Sequence, residues 1–214
     1  DQSVIQVYAS STQEIRVNMA IEKGLRFLYL NQYSTGYWAD NSNANASTGM
    51  ALLAFEENGH LPGNDFDEDI YSEYVRKGLN YLFGNATTMA MSPQTAGIPD
   101  INGNGLGVYV SSNTYANGMG VLGIIGAHLS AASAKKDTIT VGAYNGKTFY
   151  DFVVDAVDQW CYSQTDAGSW ARGGWRYSVN TASANDHDNS TTQWPALDME
   201  AAEKSWGVPV PQFV

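Results

Sequence analysis

The sequence predicts an all-α chain arranged as about three helical hairpins. Three observations carry this. A helix-period apolar stripe recurs along the chain. Each copy is followed by a polar loop. After each loop comes a second helix of small and apolar residues. The first stripe is Ile21, Leu25 and Leu28, within IEKGLRFLYLNQYSTGYW. At a constant offset of 132 residues it falls on Val153, Val157 and Trp160, within VVDAVDQWCYSQTDAGSW. Gln32, Gly36 and Trp38 then fall on Gln164, Gly168 and Trp170. A third helical copy is VRKGLNYL, residues 75–82, where Lys77-Gly78-Leu79 matches Lys23-Gly24-Leu25. Its Gln-Gly-Trp part is replaced by a long Gly/Asn/Pro-rich segment over 84–112.

The elements follow in order. Each first helix has apolar residues at i, i+4 and i+7, the stripe of a core-facing helix. Glu22 and Arg26 form an i,i+4 pair on the outer face of the first. The second helices are expected near 47–58, 113–132 and 191–204. Ser47 and Thr191 are the expected N-caps, and Asn58-Gly59 a C-terminal stop. Pro195 is expected in a first turn, where its missing N–H costs little. The hairpin units run from about 14 to 60, 69 to 133 and 148 to 206, in one domain spanning 1–214. A small β-hairpin is expected near 137–147, turning at Asn145-Gly146.

Composition narrows the function. Lys and Arg number 11 and Asp and Glu 22, so the net charge is −11. Charged residues make up 15% of the chain, against roughly 25% in an average domain. The acidity therefore reflects scarce Lys and Arg, and it argues against nucleic acid or an anionic membrane as partner. The longest apolar stretch, 118–132, is too short and glycine-rich to span a bilayer. Cys161 is the only cysteine, which excludes an intrachain disulfide and a two-cysteine metal clip. The chain begins at Asp1, which reads as a processed form or part of a longer chain. The surface is rich in Asn, Ser and Thr, and sequons occur at Asn45, Asn85 and Asn189. An extracellular or cell-surface location is the expectation.

Lys23-Gly24-x-x-Phe27-Leu28-x-x-x-Gln32-x-x-x-Gly36-x-Trp38 resembles the QW motif of the squalene-cyclase and prenyltransferase repeat family. Gln164-x-x-x-Gly168-x-Trp170 resembles its second half. Gly173-Gly174-Trp175-Arg176, leading to Asp188-Asn189-Ser190, is similar to secreted bacterial members. The resemblance spans about 17–213 and implies an α/α toroid, with inner and outer helices around a central cavity. Three hairpins fall short of a closed ring. Their apolar edges then call for self-association or for further repeats of the same chain. The motif also has a physical reading of its own. A Gln amide can serve the carbonyls at one helix end and a neighbouring helix at once, and a packed Trp keeps water off it.

Several constellations could carry chemistry. Terpene cyclases of the family have an Asp-x-Asp-Asp acid motif after a Gly-Gly-Trp segment. Gly174-Trp175 followed by Asp186-His187-Asp188-Asn189 resembles it, and makes Asp188 the candidate proton donor with Asp186 and His187 beside it. Asn189 stands where the last acid belongs, and the same residues also read as a helix N-cap. Asp65, Asp67 and Asp69 form a dense acidic run, and Asp100, Asn102 and Asn104 copy the start of a calcium loop. Ser111 then stands where a bidentate Glu is required. Calcium is thus a candidate ligand at either place, and no cofactor is required. Thirteen Tyr and six Trp could line a cavity for an apolar or glycan ligand. The degraded acid motif, the short chain and the sparsely charged surface point first to an exported non-catalytic repeat module for binding, scaffolding or self-assembly. A terpene-cyclase-like enzyme is the alternative, and a carbohydrate-active α/α toroid the second.

Overall fold

The structure is a computed structural model that describes residues 12–39, 43–92, 94, 97–165, 169–179 and 186–214. Its helices are α1 (Thr12–Asn31), α2 (Ala44–Glu56), α3 (Ser72–Gly84), α4 (Thr114–Gly126), the short α5 (Ala131–Ala134), α6 (Phe149–Ser163) and α7 (Asn189–Trp206). Strands β1 (Thr87–Ala90) and β2 (Leu106–Tyr109) pair antiparallel, with Thr87 opposite Tyr109. The described chain is therefore mainly helical, with one small sheet.

The six long helices form two rows. The first helices of the hairpins, α1, α3 and α6, are linked by aromatic contacts. Tyr29 of α1 lies 4.4 Å from Tyr74 of α3, and Phe83 of α3 lies 5.1 Å from Phe152 of α6. The second helices, α2, α4 and α7, run side by side in the same direction. At one end Asn45 of α2 donates to Val110 O just before α4, and the Tyr115 and Ser190 hydroxyls of α4 and α7 meet. At the other end the Trp206 indole of α7 donates to His128 O after α4. Small residues let α2 and α4 approach closely, since a Cβ at Gly49 would lie 2.1 Å from Met119 O. Helix α6 starts with a capping box, Thr148 with Asp151, and is buried on nearly all sides. Its stripe Phe152, Val153, Ala156, Val157 and Trp160 is the centre of the core.

The passages from α1 to α2 and from α6 to α7 are each held by a clasp of Gln, Gly and Trp. Gln32 Nε2 donates to Gly36 O at 2.8 Å and to Tyr74 O of α3 at 2.8 Å. Trp38 Nε1 donates to Leu28 O, and Trp38 N donates to Thr48 Oγ1 of α2. The second clasp repeats these bonds, apart from the one to a neighbouring helix, and uses other residues than the spacing predicts. Gln164 Nε2 donates to Gly173 O at 3.3 Å, Trp175 Nε1 to Trp160 O, and Trp175 N to Thr192 Oγ1 of α7. Gly36 and Gly173 both take a left-handed φ, +97° and +82°. The counterparts of Gly36 and Trp38 are thus Gly173 and Trp175. Gly168 lies outside the described residues, and Trp170 is 73% exposed where Trp38 is 5% and Trp175 4% exposed. The loop after Gln164 carries five extra residues, so a constant offset picks the wrong tryptophan.

Other expectations are corrected too. Residues 137–147 hold a single bridge, Thr138 with Thr148, and a 3-10 turn at Gly142–Tyr144, instead of a β-hairpin. Asn145 takes φ −53° and ψ 126° ahead of Gly146 at φ +86°, which makes a type II turn. The two-residue hairpin turns, types I′ and II′, both need positive φ at the first residue, which Asn145 does not have. The described strands lie instead in the Gly/Asn/Pro-rich segment, where β2 packs across α6. Asn43 and Asp188, not Ser47 and Thr191, precede α2 and α7. The earlier start puts Pro195 in the second turn of α7, where the Thr191 carbonyl loses its i+4 donor.

The clasp assignment makes a sharp prediction for stability. Trp175→Ala is expected to cost about 3–5 kcal/mol in urea unfolding. Trp170→Ala is expected to stay within about 0.5 kcal/mol of the parent chain. A larger loss from Trp170→Ala than from Trp175→Ala would overturn the five-residue displacement.

Candidate functional site

The first candidate lies at the N-terminal ends of α4 and α7. The segment after the second clasp crosses the start of α4: Thr114 N donates to Tyr177 O, and Val179 N donates to Ser112 O. This lays Arg176 and Tyr177 beside the entry of α7. Gly174 passes under His187, whose ring stands 5.4 Å from that of Trp170.

Asp188 is the N-cap of α7. One oxygen accepts Ser190 N at 2.8 Å and the Ser190 hydroxyl at 2.5 Å. The other accepts the Tyr177 hydroxyl at 3.0 Å. Arg176 pairs with Asp186 at 2.9 Å and reaches Asp188 at 3.9 Å. These bonds, with Ser190 foremost, hold the Asp188 carboxyl below the usual carboxylate range. A proton donor needs the reverse, a carboxyl kept neutral in a dry setting. The geometry here is that of an ionised cap in a partly exposed rim of Asp, Arg, Tyr and His.

The second candidate is a buried carboxylate centre that the sequence motifs do not reveal. Asp155 and Asp158 both project from α6 into the 100–106 loop. Asp155 accepts from Asn102 Nδ2 at 2.6 Å, Asn104 Nδ2 at 2.9 Å and the Tyr144 hydroxyl at 2.5 Å. Asp158 accepts Ile101 N at 3.0 Å, and its second oxygen has no hydrogen-bond partner among the described residues. A cavity of about 190 Å³ adjoins Asp155, Tyr144, Lys147 and Asp151. Burial is the main reason that Asp155 and the Tyr144 hydroxyl are raised, and that Asp158 is pushed up to about 8. The signal available in sequence was three acids, Asp151, Asp155 and Asp158, spaced i, i+4 and i+7 on a helix with an apolar stripe.

The calcium-like residues are brought into this centre, and their oxygens are turned to the chain itself. The Asp100 carboxylate accepts Gly103 N and Gly105 N, both at 2.8 Å. Asn102 Oδ1 accepts Asn104 N, and Asn104 Oδ1 accepts Leu106 N. In the other acidic run, Asp65 accepts Asp67 N, while Asp69 accepts Asn64 Nδ2 and Tyr71 N and stands 3.0 Å from His60 Nδ1. Among the described residues no group of three or more His, Cys, Asp or Glu side chains is placed to hold a metal ion. Of the sequon residues, Asn45 is half-buried and donates to Val110 O, while Asn85 and Asn189 are exposed. Cys161 is fully buried, and its thiol is pushed up to about 12 by burial.

Comparison with family models, with curated proteins and with solved structures returns no match. Among the described residues no helix is long and apolar enough to cross a membrane.

Asp158 gives a pH-dependent prediction. Its folded carboxyl is raised, so the folded state holds a proton that the unfolded chain gives up near pH 4. That contribution is complete below about pH 4 and fades as pH rises towards 8. Asp158→Asn keeps the acceptor for Ile101 N and removes the titration. It is expected to stabilise the chain more at pH 8 than at pH 4, read by thermal unfolding at both. An equal effect at both values would place the proton elsewhere.

Proposed function

We propose that this chain is an exported, non-catalytic α/α repeat module that self-associates through α1. The observation that carries the reading is the state of that helix. Of its 20 residues only Leu25 is buried. Leu28 and Tyr29 pack against the core, but the same stripe continues towards the N-terminus through Ile21 and Val17, which are exposed. On another face Phe27 and Leu30 are 64% and 65% exposed. They border a groove of about 670 Å³ that also contains Tyr33, Trp38 and Met50. A helix with two bare apolar faces gains little stability alone in water.

A second copy is the occupant that charge supports best. The chain carries −11 overall, but α1 has three basic residues, Arg16, Lys23 and Arg26, against Glu14 and Glu22. A second copy can meet this helix without the repulsion that the rest of the surface brings. The QW-like clasp supports the α/α repeat reading, because Gln32 ties one unit to the next at Tyr74 O. The cyclase alternative gains no support from the rim, where Asp188 is a cap held ionised.

Sedimentation velocity at micromolar concentrations tests the reading. The chain is expected to sediment as a dimer, and Phe27→Glu with Leu30→Glu as a monomer with unchanged helical circular dichroism. A parent chain that stays monomeric throughout would sink the proposal, as would a dimer indifferent to both substitutions.

A further inference from the structure

We propose that the cavity at the C-terminal ends of α2, α4 and α7 binds an organic ammonium cation, with Glu56 as its counter-charge. The cavity has a volume of about 500 Å³. Its walls are Leu53, Leu122, Ile125 and Leu129, with Glu56 and Gly126 at the head. Glu56 is 6% exposed, and among the described residues neither of its buried carboxyl oxygens has a hydrogen-bond partner. Such a group is rare in a native interior, because an unmet carboxylate costs far more than a satisfied one. The space beside it is specific. A Cβ at residue 126 would lie 2.4 Å from Glu56 Oε2, so glycine there leaves room for the carboxyl.

The sign of the ligand follows from the surroundings. Helix α2 ends at Glu56 and α4 at Gly126, and α7 supplies Ser205 one residue before its end. Each helix C-terminus carries a partial negative charge. Glu57 adds a full one at the lining. Among the described residues no Lys or Arg lines the cavity. His128 borders it, with Nε2 3.2 Å from Asp137 Oδ2. The field therefore favours a cation, and the net charge of −11 steers cations inward. The leucine and isoleucine walls favour a cation with an apolar body over a hydrated metal ion. An alkylammonium group fits both demands, its charge held beside Glu56 while its chain covers the wall. In the empty cavity, burial and the charge of Glu57 push the Glu56 carboxyl well above the usual range. A cation is what would allow it to ionise in place.

The test uses the full chain and n-butylammonium chloride, followed by methyl NMR of Leu53, Leu122 and Ile125. Saturable shifts are expected for the parent chain. Glu56→Gln keeps the shape and is expected to weaken binding about tenfold or more. n-Butanol, the same body without the charge, is expected to bind the parent chain correspondingly more weakly. Equal binding of the alcohol and the ammonium would overturn the proposal, as would equal binding by parent and variant, or no saturable shift. If Glu56→Gln fails to fold, the comparison of the two probes on the parent chain decides alone. None of these readings depends on dimerisation through α1.

Discussion

The structure rests on one recurring constraint: a chain leaving a first helix must turn and enter a second without stranding its polar groups. Both clasps meet it with the same parts. A glutamine at the helix end donates to a glycine carbonyl in the loop. An indole covers the turn and donates back to a carbonyl of the helix just left. A threonine of the incoming helix accepts the tryptophan N–H. Shielding by the ring raises the worth of each bond, since the local dielectric falls. In the middle unit Asn117 does the work of the threonine, accepting Val110 N at 2.8 Å. The rows of helices are positioned by these turns as much as by apolar packing between them.

From the second clasp the constraint spreads through Trp160. Its carbonyl accepts the Trp175 indole, and its own indole donates to the buried carboxylate of Asp198 on α7. Two residues away Asp158, and one turn earlier Asp155, hold the long middle loop. Helix α6 therefore carries its apolar stripe and Trp160 on one side and the anchors Asp155 and Asp158 on another. Burying carboxylates in this way is costly, and the raised protonation of Asp155, Asp158 and Asp198 is its signature. The gain is a fixed path for a segment with few apolar residues of its own. One half-buried acid with basic partners behaves oppositely. Asp137 is driven up by burial, yet hydrogen bonds from His128 and Arg76 outweigh that and hold it at about 2.

The surfaces divide by the same logic. Helix α6, at one end of the row of first helices, is covered because β2, α4 and α7 pack on it as well as α3. Helix α1, at the other described end of the row, has fewer such partners, and its apolar stripe stays bare beyond Leu25. The rim at the start of α7 is polar and occupied with its own capping. The opposite ends of the second helices converge on an unmet carboxyl. The two proposals, association and cation binding, therefore fall on different parts of the molecule, one an edge and the other an end.

The sequence by itself determined the helical class, the three units and the first clasp. These depend on local period and on residues close together in the chain: Ile21, Leu25 and Leu28 on one stripe, and Gln32, Gly36 and Trp38 within one loop. It also marked Asp188 as a cap candidate, because capping needs only the next few N–H groups. Only the tertiary structure decided which tryptophan closes the second clasp, since five added residues shift the register without changing composition. Only it could turn Asn145-Gly146 into a type II turn, place the strands across α6 and bring Asp155 to Asn102 and Asn104. Those outcomes depend on contacts between residues far apart in sequence, whose energies no local pattern records. The bare faces of α1 and the lone carboxyl of Glu56 are of the same kind. Each is defined by what the rest of the fold fails to supply.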